Sequence, residues 1–467
     1  MKKIKALTSL LALVLLLASV LLFSSCAIFE SPKGISKTEI NGLGELIITY
    51  TDGSHENLGV VVGQNGKDGA DGKDGIDGKD GLDGKDGKDG KNGKDGKDGA
   101  DGKDGADGKD GDYIAAEKQK LIEAASAKAL TSSVNIYCAF EKTYYGQTQA
   151  FVSAGAGVIY KLDKASGDAF IITNYHVVYN PNCDAENGIS EEIYVYLYGS
   201  ELESHAMMAE YVGGSLQYDI AVLRITNSDI IKNSDANPVS VFNSDEINVG
   251  ESAIAIGNPE GMGFSTSLGV VSVDSEYLNM LGADEQTPVT FRVMRIDTSV
   301  NSGNSGGGLF NASGELIGIV NAKERSDTIE NIAYAIPSSL AKAVADNIIY
   351  YCLDTNVYQP QKPIMGITIQ VTDSHAEYDS ENERIKIVEK ITVISVEPGS
   401  AAYGVFKEGD VLVSAFYDEE SYDIIRMHSL DFMLNVRVGE RVFFTVERNG
   451  VKKTLELTVR RNDLIPS

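Results

Sequence analysis

Ser305 lies in the run Asn301-Ser302-Gly303-Asn304-Ser305-Gly306-Gly307, with Thr173-Asn174-Tyr175-His176-Val177-Val178 and Tyr218-Asp219-Ile220-Ala221-Val222 upstream of it. A serine hydroxyl is a weak nucleophile at neutral pH. It needs a base within hydrogen-bond reach and a third group that holds that base in one tautomer. His176 can act as the base and Asp219 as its anchor. Asp163, Asp168 and Asp184 are also near His176 in sequence, but only Asp219 opens an apolar strand able to hold a carboxylate against an imidazole. His55, His205, His375 and His428 have no such surroundings and receive no catalytic role. The glycines beside Ser305 let backbone amides approach a developing oxyanion where a side chain would block them, and Gly303 and Ser305 are the expected donors.

These groups must be carried by strands. The order His, Asp, Ser along the chain is the chymotrypsin order, which predicts two β-barrels with the site between them. Six segments carry a closer resemblance: Gly155-Ala156-Gly157-Val158-Ile159, the His176 and Asp219 segments, Ala255-Ile256-Gly257-Asn258-Pro259, the Ser305 segment and Tyr334-Ala335-Ile336-Pro337. In this order they resemble the trypsin-like domain of the HtrA/DegP family, from about Ser132 to Tyr350. The resemblance implies a serine endopeptidase with His176 as general base and then acid, Asp219 orienting it and Ser305 as nucleophile. It places the oxyanion hole on the Gly303 and Ser305 amides, with Asn304 between them. The pocket for the residue before the scissile bond is expected from Val320, Asn321, Ala333, Tyr334, Ala335 and Ile336. No acid stands in those segments, so small or medium aliphatic residues are the expected targets, and unfolded polypeptides are the substrates the family implies.

The last hundred residues resemble the PDZ domain attached to such proteases. Ile364-Met365-Gly366-Ile367 matches its carboxylate-binding loop, and Val396-Glu397-Pro398-Gly399-Ser400-Ala401-Ala402 with Phe406-Lys407-Glu408-Gly409-Asp410-Val411-Leu412 matches its central stretch. Such a loop captures a peptide C-terminus through successive amides while the peptide adds as a strand. Met365 and Ile367 read equally as core residues of a small β domain.

Upstream, Lys2, Lys3 and Lys5 precede an apolar stretch from Ala6 to Phe23 that ends in Leu22-Phe23-Ser24-Ser25-Cys26. This resembles a bacterial lipoprotein signal, with Cys26 as the lipidated residue, although Phe23 stands where leucine is usual. The alternative is an uncleaved anchor helix. Either places the chain at the outer face of the cytoplasmic membrane. Glu45 to Tyr50 and Asn57 to Val62, joined through Asp52-Gly53, read as a hairpin.

From Gly63 to Gly111 glycine occupies every third position, with Lys-Asp the commonest pair between glycines and no proline. This G-X-Y period is what a collagen-like triple helix requires, because only glycine fits at its axis. A flexible charged linker is the alternative. As a triple helix the segment would extend on the order of 150 Å at about 3 Å per residue. HtrA proteases are generally trimers and such a rod is three-stranded, so a homotrimer is expected. EF-hand and nonapeptide calcium spacings do not occur.

The expected architecture is mainly β: signal 1–26, hairpin spacer 27–62, collagen-like repeat 63–112, helical connector 113–131, double-barrel protease domain 132–351, linker 352–362 and PDZ domain 363–461. A closing helix is expected near Ser338 to Tyr351. A net charge of −27 over 467 residues argues against nucleic acid as a partner. No cysteine and histidine cluster has metal-ligand spacing, and no dinucleotide loop is present, so neither metal nor cofactor is expected. Once Cys26 is set aside, Cys138, Cys183 and Cys352 leave an odd number, and buried thiols are the simpler reading. Two readings from other classes stay open: a stalked surface binding protein with an unused protease fold, and a chaperone-like scaffold.

Overall fold

The computed structural model describes residues 35–40, 45–50, 53–60, 111–200, 204–321, 332–355, 357–380 and 384–466. The signal, Cys26 and the G-X-Y repeat up to residue 110 lie outside them. The chain divides into two units, Met1–Lys103 and Asp104–Ser467.

In the first unit β1 (Ile35–Ile40), β2 (Glu45–Tyr50) and β3 (His55–Val60) form one antiparallel sheet in that order. The predicted hairpin thus gains a third strand. The segment Ile35-Ser36-Lys37-Thr38-Glu39-Ile40 lacks the turn dipeptide that marked its neighbours.

The second unit opens with α1 (Gly111–Leu130), which begins inside the last G-X-Y triplet. Ala125 and Ala129 are buried against the protease core, and Lys128 Nζ donates to the Ser313 carbonyl at 3.1 Å. The first closed barrel is built from β4 (Ser133–Tyr144), β5 (Gln147–Asp163), β6 (Asp168–Thr173), β7 (Glu192–Leu197), β8 (Met207–Ser215) and β9 (Ile220–Ile225). Its interior is aliphatic, with Val134, Ile136, Ile171, Val195 and Leu223 fully buried. The second closed barrel comprises β10 (Ser252–Gly257), β11 (Ser265–Leu281), β12 (Pro288–Ile296), β13 (Gly308–Phe310), β14 (Leu316–Asn321) and β15 (Ala333–Pro337). A third core spans both, joining Ile172 and Val222 of one barrel to Ile254, Ile256 and Phe310 of the other. Burial of this apolar seam, at roughly 25 cal/mol per Å², fixes the mutual placement of the barrels. The expected double-barrel, mainly β architecture is present.

The closing helix α2 (Ser338–Cys352) packs its Leu340, Ala341, Val344 and Ile348 face into that seam. The carboxy-terminal module follows. Its main sheet runs β17 (Ile367–Asp379), β18 (Arg384–Val396), β19 (Val411–Tyr417), β21 (Arg441–Arg448), β22 (Val451–Thr458), with β20 (Glu420–Asp423) paired to β19. β16 (Gln361–Pro363) pairs with β23 (Leu464–Pro466), so the end of the expected linker belongs to this module. A 3₁₀ segment, Met427–Asn435, lies against α2. Asn347 Nδ2, from α2, donates to the Leu434 carbonyl at 2.5 Å. Arg292, 5 % exposed, reaches Asp431 of the 3₁₀ segment at 2.9 Å and Asp245 at 2.5 Å. Cys138, Cys183 and Cys352 are free, and burial pushes the thiols of Cys138 and Cys352 up to about 12. Among the described residues no helix is long and apolar enough to cross a membrane.

Candidate active site

His176 sits on a single helical turn, Tyr175–Val178, that leaves the end of β6. Val177 and Val178 bury into the first barrel and anchor that turn, while Tyr175 stacks on Tyr179 at 4.9 Å. Asp219 closes the turn between β8 and β9. It is 2 % exposed and takes a left-handed φ of 49°, rare for a residue bearing a Cβ.

Both carboxylate oxygens of Asp219 are committed. Oδ1 accepts the His176 amide at 3.0 Å. Oδ2 lies 2.7 Å from His176 Nδ1 and accepts Asn321 Nδ2 at 3.0 Å. An ionised carboxylate only accepts, so Nδ1 carries the proton. The Nε2 lone pair is left available as a base. The Asp219 carbonyl accepts the Tyr175 amide at 3.2 Å and Asn174 Nδ2 at 2.9 Å.

The Ser305 loop belongs to the second barrel but is fastened to the first. The Ser305 carbonyl accepts the Ala156 amide at 2.9 Å. The Gly306 amide donates to Asn174 Oδ1 at 2.7 Å and to the Val320 carbonyl at 3.0 Å. Gly306 has φ 81°, and a Cβ there would come within 2.2 Å of Thr173 Oγ1 and 2.3 Å of the Ala156 carbonyl. Gly303 has φ 93°, and its Cβ would fall 2.1 Å from the Asn258 carbonyl. With the Asn304 amide donating to the Asn301 carbonyl at 3.0 Å, residues 301–304 form a type II turn, which demands glycine at its third position. The Ser302 carbonyl is held by the Glu260 amide at 2.8 Å. In a trans peptide the N–H points opposite to the C=O, so this bond turns the Gly303 amide away from Glu260.

The structure therefore joins His176 to Asp219 directly and ties the Ser305 loop to the His176 loop through Asn174 and Ala156. The six expected pocket residues are distributed differently. Val320, Ala335 and Ile336 are fully buried, so their side chains fill core clusters of the second barrel and the seam. Ala333 is 7 % exposed. Asn321 serves Asp219. Tyr334 is half-buried against Val289, Phe291 and Val293. Residues 322–331, between β14 and β15, lie outside the described ones.

In the carboxy-terminal module Ile364 is exposed, and Met365 and Ile367 pack on the module core. Gly366 has φ 79°, and a Cβ would meet Ser400 Cβ at 2.1 Å. A cavity of about 370 Å³ opens here, lined by Ile364, Gly366, Pro398, Ser400, Arg460 and Asn462 among others. β17 pairs only with β18 among the described residues.

The residue types alone did not reveal Asn174, Asn321 or Asn258. Asn174 reads as an ordinary helix N-cap, Asn321 ends an apolar strand, and Asn258 precedes a proline. Asn258 Nδ2 donates to the Gly155 carbonyl at 3.4 Å and its Oδ1 accepts the Gly263 amide at 2.8 Å.

Comparison with known proteins bears on the fold and on the family resemblance. The trypsin-like peptidase domain matches residues 155–319 and the collagen triple helix repeat matches residues 61–116. The chain carries a trypsin-like peptidase domain. The chain is 31 % identical over 315 residues to the serine protease Do-like HtrB of Bacillus subtilis (strain 168), covering 66 % of this chain and 62 % of that protein. It is 31 % identical to a probable periplasmic DegP-like serine endoprotease of Pseudomonas fulva (strain 12-X), covering 67 % and 57 %. To the periplasmic pH-dependent serine endoprotease DegQ of Escherichia coli (strain K12) it is also 31 % identical, covering 57 % and 51 %. The chain thus spans about six-tenths of the length of the first curated relatives it matches. A solved HtrA-type protease, AlgW with a tripeptide, is 27 % identical, with 74 % of this chain and 98 % of that one covered at a TM-score of 0.47.

Proposed function

We propose that this chain is an extracytoplasmic serine endopeptidase that cleaves unfolded polypeptides. The observation that carries the reading is the Asp219 carboxylate, which spends one oxygen on the His176 backbone and the other on His176 Nδ1. That arrangement fixes both the tautomer and the orientation of the ring. In the mechanism it supports, His176 Nε2 takes the Ser305 hydroxyl proton as Oγ attacks the scissile carbonyl. The oxyanion is met by the Gly303 and Ser305 amides, on either side of Asn304. His176 then gives the proton to the leaving amine, and water repeats the sequence on the acyl-enzyme. Cleavage after small or medium aliphatic residues is carried over from the resemblance: the Val320, Asn321 and Ala333 to Ile336 segments hold no acid, although the side chains of Val320, Ala335 and Ile336 lie in the cores.

The carboxy-terminal module is read as PDZ-like. Ile364 to Ile367 form a glycine-hinged loop beside an edge strand, β17, where a peptide can add its own strand and present its terminal carboxylate. Attachment through a lipidated Cys26 and trimer formation reinforced by the G-X-Y rod complete the reading.

The test is digestion of reduced casein by the full chain in mild detergent, beside Ser305→Ala, with the cleavage sites sequenced. Cleavage after aliphatic residues that disappears in the variant is expected. Absence of cleavage by both, together with no fluorophosphonate labelling of Ser305 even with a C-terminal peptide added, would leave a stalked binding protein.

A further inference from the structure

Asp219 holds a left-handed φ of 49°, a conformation that a residue with a Cβ keeps only when its surroundings over-determine it. Part of that support comes from outside the two barrels. Tyr218, immediately before it, donates its amide to Ser215 Oγ at 3.3 Å and packs against the seam shared by the barrels. Over its ring lies Lys362, with Nζ 5.7 Å from the ring centroid. Lys362 belongs to β16 of the carboxy-terminal module and pairs there with Ile465.

The Asp431 carboxylate is near enough for its charge to act on both Lys362 and Tyr218, and it is fixed by Arg292 at 2.9 Å. Burial pulls the Lys362 ammonium below its ordinary value and the Asp431 charge opposes that pull. The backbone leading into Lys362 is also constrained. Gln361 exchanges two bonds with Asn347, at 3.1 and 2.9 Å. The Tyr358 carbonyl accepts the Gly214 amide at 3.0 Å, on the strand leading into the Asp219 turn, and the Tyr358 ring stacks on Tyr211 at 6.3 Å. One short stretch, residues 358–362, thus touches the Asp219 turn both at its entering strand and at its last aromatic ring.

We propose that Lys362 is a positioning residue for catalysis: by capping the face of Tyr218 it holds the turn that presents Asp219 to His176. The inference rests on the peptidase reading and deepens it. A carboxylate that must meet an imidazole within a few tenths of an ångström depends on its backbone being held, and a cation against an aromatic face supplies such a hold without blocking the site.

The experiment uses the full chain in mild detergent with a peptide substrate, and compares Lys362→Met, Lys362→Arg, Tyr218→Leu and the double variant Tyr218→Leu/Lys362→Met. Lys362→Met keeps the stem and removes the charge, whereas arginine restores a cation that stacks on the ring. Lys362→Met is expected to lower kcat about fivefold with KM within about twofold, and Lys362→Arg to recover most of it. Because the two residues act as one contact, the double variant should be no slower than the slower single. The downfield proton resonance of His176 Nδ1–H, assigned by its loss in His176→Ala, should move or broaden in Lys362→Met and return in Lys362→Arg.

An unchanged kcat, a double variant slowed by the product of the two singles, or an unmoved resonance overturns the proposal. If the wild-type chain neither cleaves nor reacts with a fluorophosphonate, the peptidase reading fails by itself. The resonance arm then decides the Lys362 contact alone.

Discussion

The side-chain oxygen of Asn174, at the mouth of the first barrel, accepts the amide of Gly306, from the second, at 2.7 Å. The same side chain donates to the Asp219 carbonyl at 2.9 Å. One fully buried amide group therefore registers the nucleophile's loop against the turn that carries the orienting acid. Asn174→Ala removes one of two partners from the Gly306 amide and from the Asp219 carbonyl, which keep the Val320 carbonyl and the Tyr175 amide, a loss of roughly 0.5 to 1.5 kcal/mol each. We expect kcat/KM to fall about 10- to 100-fold, measured on a peptide substrate beside the wild type.

Asn321 bonds the Asp219 oxygen that faces His176. Asn321→Leu removes that donor and is expected to lower kcat about tenfold, since a hydrogen bond to a charged group contributes roughly 1.5 to 3 kcal/mol. Asp219→Asn should cost about 10⁴-fold, because it favours the wrong tautomer of His176. A smaller deficit for Asp219→Asn than for Asn321→Leu would contradict the assigned roles.

Gly306→Ala tests the fit of the Ser305 loop. Its positive φ and the contacts of 2.2 and 2.3 Å that a Cβ would make leave no space for even a methyl group. Fluorophosphonate labelling of Ser305 should fall by about 10³-fold or more while far-ultraviolet circular dichroism stays native, because both barrels close without that residue.

His428 carries a pH prediction. It is 5 % exposed. Its Nδ1 lies 3.4 Å from Ser275 Oγ and its Nε2 3.8 Å from Asp245 Oδ1. Burial, with Arg292 and Arg426 nearby, pushes it down to about 2. A histidine depressed on folding takes up protons in the unfolded chain first. Its contribution to stability is complete above the unfolded value of about 6.5 and is lost as the pH falls below it, by about 2 kcal/mol at pH 5. Asp431 acts in the opposite sense, since burial against the pull of Arg292 pushes it up to about 6. The informative quantity is therefore the difference between variants. His428→Phe should lose less stability than the wild type between pH 7 and pH 5, by about 2 kcal/mol in urea titrations. Parallel curves for the two proteins would refute it.

Much of the fold was legible because apolar strands between Gly-rich turns admit few closures. The His176, Asp219 and Ser305 segments each announce a chemistry by residue type, and α2 shows its 3.6-residue period. What remained hidden depends on tertiary partners. Asn174 and Asn321 are ordinary amides until the barrels meet around them. Val320, Ala335 and Ile336 read as pocket walls by resemblance, yet a strand shared by two cores buries both of its faces. The docking of Met427–Asn435 on α2 was illegible too, since Arg292 and Asp431 stand 139 positions apart and neither belongs to a recognisable pattern.

The way the Ser305 loop is fastened also bears on the birth of the enzyme. During synthesis the first barrel, which carries both His176 and Asp219, emerges ahead of the second. The nucleophile's loop takes its shape from the Ala156 amide and Asn174, so it acquires that shape only when the later barrel closes upon the earlier. On the proposed peptidase reading, an unfinished chain lacks its shaped nucleophile loop. Completion of the second barrel would then act as the safety catch of that peptidase.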